Sequence, residues 1–466
     1  MQKNTAALGR EPIGRLLLKL AAPSVVAQII NLLYNLVDRM YIGRIAGVGR
    51  IALTGVGVCL PITMAISAFA ALVSMGAAPR LSIFLGRGDQ DQAERVVGNS
   101  VSALLIISVI LTAIFFTFAE PLLLAFGASP DTLPYGLAYL KLYTLGTLFV
   151  QTTLGLNPFI SAQGFSRISM LTVLIGAVTN IILDPVFIFV FRLGVAGAAW
   201  ATVLSQFVSS VWILLFLTGG KTTVRIRLRY LPIRSKVLLP CLALGLSPFI
   251  MQVTESVVSV GFNTSLYRYG GDLAVGAMTI LNSVKQLALL PMTGVTQGAQ
   301  PIISYNYGAK SAARVKRAFL YQFFTCLLYS SFFWLMVQLF PQMFVRLFND
   351  DPELVAFSTR ALRIYLATIA IYGIQTACQQ AFVALGNARY SLFLALFRKV
   401  VLLLPLIYVM PLFFPSGEAR TFGILLAEPV ADCIAAATTG LLFFSQFRKV
   451  MRELSAPPAA AKPAEP

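Results

Sequence analysis

Five carboxylates lie inside long apolar runs of this 466-residue chain: Asp38, Asp184, Glu255, Glu428 and Asp432. A carboxylate surrounded by hydrocarbon is costly, so it must face a partner or a wet cavity, and it counts as a functional candidate by default. Asp184 has the most informative surroundings. Asn180 stands four residues earlier, which puts both side chains on one face of a helix. Pro185 follows, and a proline inside a helix frees backbone carbonyls in the preceding turn. Asp38, Asn157 and Thr202 lie on other helices of the same half and can converge on that face. Two carboxylates, two amides and a hydroxyl are hard oxygen ligands, suited to Na+ rather than to a transition metal. The same acid pair suits H+, because a carboxyl withdrawn from water beside a second one is more easily kept neutral. The alternative is that the two acids only pair and hydrogen-bond to hold helices together.

The second half offers a looser set. Glu255 is followed by Ser256, Ser259 and Asn263, Glu428 and Asp432 are spaced i,i+4, and Lys285 stands in an apolar run of its own. A structural Lys285–carboxylate pair and a substrate-binding group both fit this pattern. With five acids against two bases (Lys141 and Lys285) inside apolar runs, an enclosed cavity favours cationic cargo. Tyr34, Met278 and Met292 are adaptable side chains that can line such a cavity, with plain helix packing as the alternative for each.

The elements that must position these residues are membrane spans. Apolar residues make up 58% of the chain and charged residues 12%, against roughly 45–50% and about 25% in soluble domains. So few charges cannot cover a water-facing surface. The absence of His removes the usual zinc ligand and the Ser-His triad, and the five Cys all lie in apolar stretches without a CxxC pair. They read as packing residues, and no enzyme or cofactor site follows. Gly219-Gly220-Lys221-Thr222 resembles the end of a phosphate loop, but Leu215 stands where that loop needs another Gly, so no nucleotide site follows either.

A helical span takes about 20 mostly apolar residues. Twelve such stretches are predicted, near 16–41, 51–78, 96–118, 134–160, 169–191, 195–217, 239–265, 273–300, 318–340, 361–385, 392–414 and 422–445. They do not alternate as barrel strands would, so the expected fold is an all-α polytopic membrane protein. The first stretch, which carries Asn31, Asn35 and Asp38, reads as an uncleaved helix. With a cytoplasmic N-terminus, 25 basic residues fall on the inner side and 9 on the outer, and two remain inside spans. That bias predicts both termini in the cytoplasm. The net charge of +18 then reports topology rather than a nucleic-acid partner. Residues 221–237 form a basic connector, in which Val224–Tyr230 alternates so that the arginines share one face of an extended segment suited to an anionic leaflet.

The chain also matches itself. At a shift of 222, Gly76-Ala77-Ala78-Pro79 and Gly86 meet Gly298-Ala299-Gln300-Pro301 and Gly308. At 225, Pro23 meets Pro248 and Ala52-Leu53-Thr54 meets Ala277-Met278-Thr279. Six helices are thus expected twice, in an amino-terminal lobe (1–220) and a carboxy-terminal lobe (238–446), with a cytoplasmic tail at 447–466. An even number of spans per repeat makes the repeats parallel about an axis along the membrane normal, the plan of transporters that rock two bundles about a central site. No ring of carbonyls or like charges suggests a channel filter.

The run Gly270-Gly271-Asp272-Leu273-Ala274-Val275-Gly276-Ala277-Met278, with Gln297-Gly298-Ala299-Gln300-Pro301-Ile302-Ile303-Ser304-Tyr305-Asn306-Tyr307-Gly308, resembles the multidrug and toxic compound extrusion family, in its MepA-like bacterial branch. The resemblance covers residues 10–450. It implies two parallel six-helix bundles around a V-shaped cavity in the bacterial inner membrane, exporting cationic amphipathic drugs as a monomer against inward H+ or Na+. The family's amino-lobe cation site falls on Asp38, Asn180, Asp184 and Thr202, with Asn157 nearby, and Glu255 matches an acid that some members use. The tenth helix departs from that subgroup: it has Gln375, Gln379 and Gln380 but no carboxylate. Glu428 and Asp432 are the acids available to substitute. A lipid-linked precursor flippase, which needs a basic cavity for a pyrophosphate, is the alternative of the same superfamily.

Overall fold

The computed structural model describes residues 3–415 and 417–455. In chain order the helices are α1 (Lys3–Arg10), α2 (Ile13–Gly43), α3 (Gly49–Val58), α4 (Leu60–Gly86), α5 (Gln90–Thr117), α6 (Ala119–Ala125), α7 (Leu133–Leu145), α8 (Thr147–Ala162), α9 (Ser166–Pro185) and α10 (Val195–Thr218). They continue with α11 (Ser235–Gly308), α12 (Ala312–Leu339), α13 (Pro341–Arg346), α14 (Pro352–Tyr365), α15 (Ile369–Ala384), α16 (Ala388–Leu396), α17 (Leu404–Val409) and α18 (Gly417–Ser455). Among the described residues there is no strand. Among the described residues, nine helical segments are long and apolar enough to cross a bilayer, or ten if α14 and α15, bent by 48°, count as one. Their outer faces carry large apolar side chains in the open, such as Val109 at 69% and Leu328 at 71% exposure, as lipid contact requires.

Breaks in these helices have sequence causes. α11 has 74 residues and would be ~110 Å long if straight, several times the ~30 Å of a bilayer core. It is broken at Gly271, whose φ of +61° is open to glycine and strained for most other residues. Pro185 hands α9 over to a π turn at Val186–Val190. A second π segment, Phe397–Leu403, lies between α16 and α17 just before Pro405. Such π turns break the regular ladder and favour functional sites.

Buried side chains form separate cores for the two halves of the chain, one pair of clusters drawn from residues 42–241 and another mainly from residues 258–447. The halves meet through glycines. A Cβ on Gly76 of α4 would sit 1.9 Å from the Cys241 carbonyl oxygen, and one on Gly245 would sit 1.8 Å from that of Leu72. Gly86 and Gly308 are related in the same way to Tyr305 and Ile83, at 1.9 and 2.0 Å. Gly298 approaches Ala21 of α2 equally closely, at 2.4 Å from its Cα.

The connector keeps the alternation read from its sequence, with Val224 buried and Arg225, Arg227 and Arg229 exposed, but it is not extended throughout: a short 3-10 turn falls at Leu228–Tyr230. Arg227 Nε lies 2.7 Å from Glu94 Oε2 and Arg229 lies 3.9 Å from Asp91, both on α5. Gln163 Oε1 accepts from Thr222 Oγ1, Thr223 N and Val224 N at 2.7–3.0 Å. The segment is stitched to the first half because its backbone donors needed partners. Nor is the tail separate from 447: α18 continues to Ser455, and residues 456–466 lie outside the described part.

Candidate functional site

Tyr34 and Asp38 stand one turn apart on α2, Asn180 and Asp184 one turn apart on α9, and Thr202 faces them from α10. Asn180 and Asp184 are fully buried and Thr202 nearly so, at 8% exposure. Asn180 Nδ2 donates to Asp184 Oδ1 at 3.4 Å and to Thr202 Oγ1 at 3.5 Å, both long contacts. Asp38 and Asp184 are electrostatic neighbours, with Tyr34 beside both. Four of the five residues placed together by the sequence reading of the cation site therefore do meet.

Three oxygens of the cluster are left over. Asp38 Oδ1, Asn180 Oδ1 and Asp184 Oδ2 are buried without a hydrogen-bond partner. An unpaired buried oxygen costs about 1–3 kcal/mol, so three in one place call for an electrophile. A hard monovalent cation or a proton fits them. No group of three or more His, Cys, Asp or Glu is placed to hold a metal among the described residues.

Asn157 does not join the cluster. Its amide donates to Ser169 O at 3.3 Å, and Ser169 lies 11 residues before Asn180 on α9, ~16 Å along the helix. Sequence reasoning also missed Tyr139 of α7, which is buried beside Asp38 and Thr202. It stacks on Tyr143, ring centres 6.0 Å apart. The i,i+4 tyrosine pair was the available signal.

In the second half, the residues assigned to substrate binding are engaged with one another. Lys285 Nζ pairs with Glu428 and lies 3.4 Å from the Tyr365 hydroxyl. Arg398 Nη2 contacts Glu428 Oε1 at 3.0 Å and Asp432 Oδ1 at 2.7 Å, and its guanidinium lies 4.8 Å from the Tyr372 ring centre. Lys399 Nζ pairs with Glu255. Arg398 and Lys399, which fall in the predicted stretch 392–414 but are not counted among its in-span bases, are buried in the second π segment. Three bases thus balance three acids, and the acidic excess belongs to the first half alone. Lys285 thus has a carboxylate partner, as the structural alternative expected. Glu255 differs from the others, since its side chain is 52% exposed. Met278 and Met292, at 2% and 1% exposure, are buried in the core of the second half. Gln375 and Gln379 are buried, and Gln379 Nε2 contacts Met251 Sδ at 3.2 Å.

The MatE family model matches residues 23–186 and again 248–409. Multidrug export protein MepA of Staphylococcus haemolyticus (strain JCSC1435) is 25% identical over 423 residues, covering 91% of this chain and 92% of that protein. MepA of Staphylococcus aureus (strain N315) is 23% identical over 439 residues, covering 93% and 95%. A crystal structure of MATE in the bent conformation has the same fold, with a TM-score of 0.88 at 23% identity over 97% of this chain and 99% of that one. With buried polar residues on apolar helices and two matches that span most of the sequence, the chain is a multi-pass membrane transporter belonging to the MatE family of multidrug efflux proteins.

Proposed function

We propose that the protein is a secondary antiporter of the bacterial inner membrane, exporting cationic amphipathic compounds by alternating access in exchange for inward H+ or Na+. The observation that carries this reading is the set of unpartnered buried oxygens on Asp38, Asn180 and Asp184. An exchangeable cation satisfies it, whereas a purely structural acid pair would be expected to come with its own donors. In the outward-facing state the cation binds between α2 and α9, draws the two helices together and closes the route by which the drug would rebind. Ion and drug are coupled only if each binds the two states with different affinity.

The architecture proposed is twelve spans in two six-helix lobes, 1–220 and 238–446, joined by the connector 221–237, with both termini cytoplasmic and the protein acting as a monomer. Counting α11 as two spans and α7–α8 as one brings the apolar segments to that number. The duplication is supported by the second family match, which begins 225 residues after the first, and by the reciprocal approaches of Gly86 and Gly308. The flippase alternative is not favoured, because the buried bases of the second half are already paired with acids.

The decisive experiment is efflux of a fluorescent cationic dye from proteoliposomes under an imposed H+ gradient and then an imposed Na+ gradient. Wild type should respond to one of them, and Asp38→Asn and Asp184→Asn should each lose at least tenfold of the gradient-driven rate. Wild-type rates in both variants would remove the acid pair from coupling.

A further inference from the structure

Among the described residues, two grooves open on the outer surface of the helices. One, of about 810 Å3, runs between α15 and α18. Its floor consists of small residues at helical spacing, Ala436, Ala437 and Gly440, while Leu441 and Phe444 stand exposed along it. A Cβ on Gly440 would meet only Ile374 Cγ2, at 3.7 Å, so the furrow is open at that point. At one end stand Arg448, Lys449 and Arg452. All three are exposed, and among the described residues none has an acid within ion-pairing distance. From Cys433 to Arg448 the groove follows 15 residues of α18, ~22 Å, enough to cross the ~15 Å of hydrocarbon in one leaflet.

The two ends of the groove demand different chemistry. A small anion would leave the apolar length empty, and a neutral lipid would leave three cations unmatched. The basic end lies on the face that holds α1: Phe447 packs on Phe319 of α12 at 5.0 Å, and Arg314, earlier on α12, donates to the Leu8 and Glu11 carbonyls at 3.0 and 2.8 Å. We propose that this groove binds an anionic phospholipid of the inner leaflet, with an acyl chain along the Ala436–Gly440 furrow and its phosphate against Arg448, Lys449 and Arg452. Basic pockets between helices on the cytoplasmic side recognise such headgroups. Only the choice of leaflet rests on the orientation proposed above. The second groove, of about 830 Å3 between α2 and α9, serves as a contrast. There Glu11 engages Lys19 at 3.0 Å, which leaves less free positive charge.

The test compares full-length protein with Arg448→Gln/Lys449→Gln/Arg452→Gln, with Gly440→Leu and with Arg15→Gln/Lys19→Gln as a control. Each is reconstituted in nanodiscs of phosphatidylglycerol or phosphatidylcholine, and retained lipid is read by native mass spectrometry beside the thermal midpoint. Wild type should retain phosphatidylglycerol preferentially and melt higher in it. The triple variant should lose that preference by roughly a hundredfold, about fivefold for each basic residue. Gly440→Leu should lower retention of the lipid, and the control should keep it. Equal retention of both lipids by wild type, or an unchanged preference in the triple variant, overturns the proposal. The latter would mean that the three bases only complement the carboxyl end of α18. An equal thermal shift from free glycerol phosphate would overturn the lipid assignment. Nanodisc retention does not depend on leaflet, so a separate accessibility assay on the C-terminus distinguishes a wrong orientation from a wrong ligand.

Discussion

At the scale of single residues, the two halves use buried charge in opposite ways. The first half leaves oxygens of its acid pair unpartnered; the second places three acids and three bases in mutual contact. In the second network Arg398, at 3% side-chain exposure, bridges Glu428 and Asp432. Removing one member of a buried ionic set leaves uncompensated charge, typically at a cost of about 3–5 kcal/mol, whereas removing both members of a pair costs much less. Arg398→Leu should therefore lower the thermal midpoint of the detergent-purified protein strongly. Arg398→Leu/Asp432→Leu should recover part of the loss, because Glu428 keeps Lys285. A double variant as unstable as the sum of the two single ones would show that the network is not energetically connected.

At the scale of elements, glycine and proline decide where helices bend and how closely they approach. Gly76 on α4 lets the backbone of α11 come within a distance no side chain could share, since the obstructing atom is the Cys241 carbonyl oxygen rather than a movable side-chain tip. Gly76→Leu must push the two helices apart, and overpacking of this kind costs about 1–3 kcal/mol or more. The expected outcome is a lower thermal midpoint together with lost dye efflux. Normal values of both would mean that α4 and α11 separate without consequence. The π turn after Pro185 acts differently, because it ends the regular helix directly beside Asp184.

At the scale of the whole molecule, α1 ties the halves together on one face. Thr5 Oγ1 lies 2.8 Å from Thr223 Oγ1 of the connector, while Asn306 Nδ2 donates to the Leu8 carbonyl at 2.9 Å in the other half. Alternating access requires these contacts to part in each cycle. A short bis-maleimide linking Gly9→Cys to Tyr305→Cys, in a Cys433→Ala background that removes the one exposed native thiol, should stop efflux. The unlinked variant should keep transporting. Undiminished efflux after complete linkage would show that this face does not open.

The sequence by itself determined the membrane class, the helical fold and four of the five residues that come together in the first-half cluster. Composition fixes the solvent a chain can tolerate, and i,i+4 spacing fixes which side chains share a helix face. It also contained the self-match on Gly76, Gly86, Gly298 and Gly308, whose close backbone approaches the structure then displays. Only the tertiary structure decided what those faces meet. Arg398 and Lys399 stand outside the count of in-span bases because the sequence shows no partner for them nearby; their burial depends on acids contributed by α11 and α18, 30 or more positions away. Met278 and Met292 looked like cavity residues because a methionine on a helix carries no mark of which neighbour covers it. Tyr139 went unnoticed for the same reason, its role being set by where α7 packs against α10. Local sequence encodes propensity and periodicity, whereas the pairing of distant charges is decided by the packing of helices that the sequence brings together only after folding.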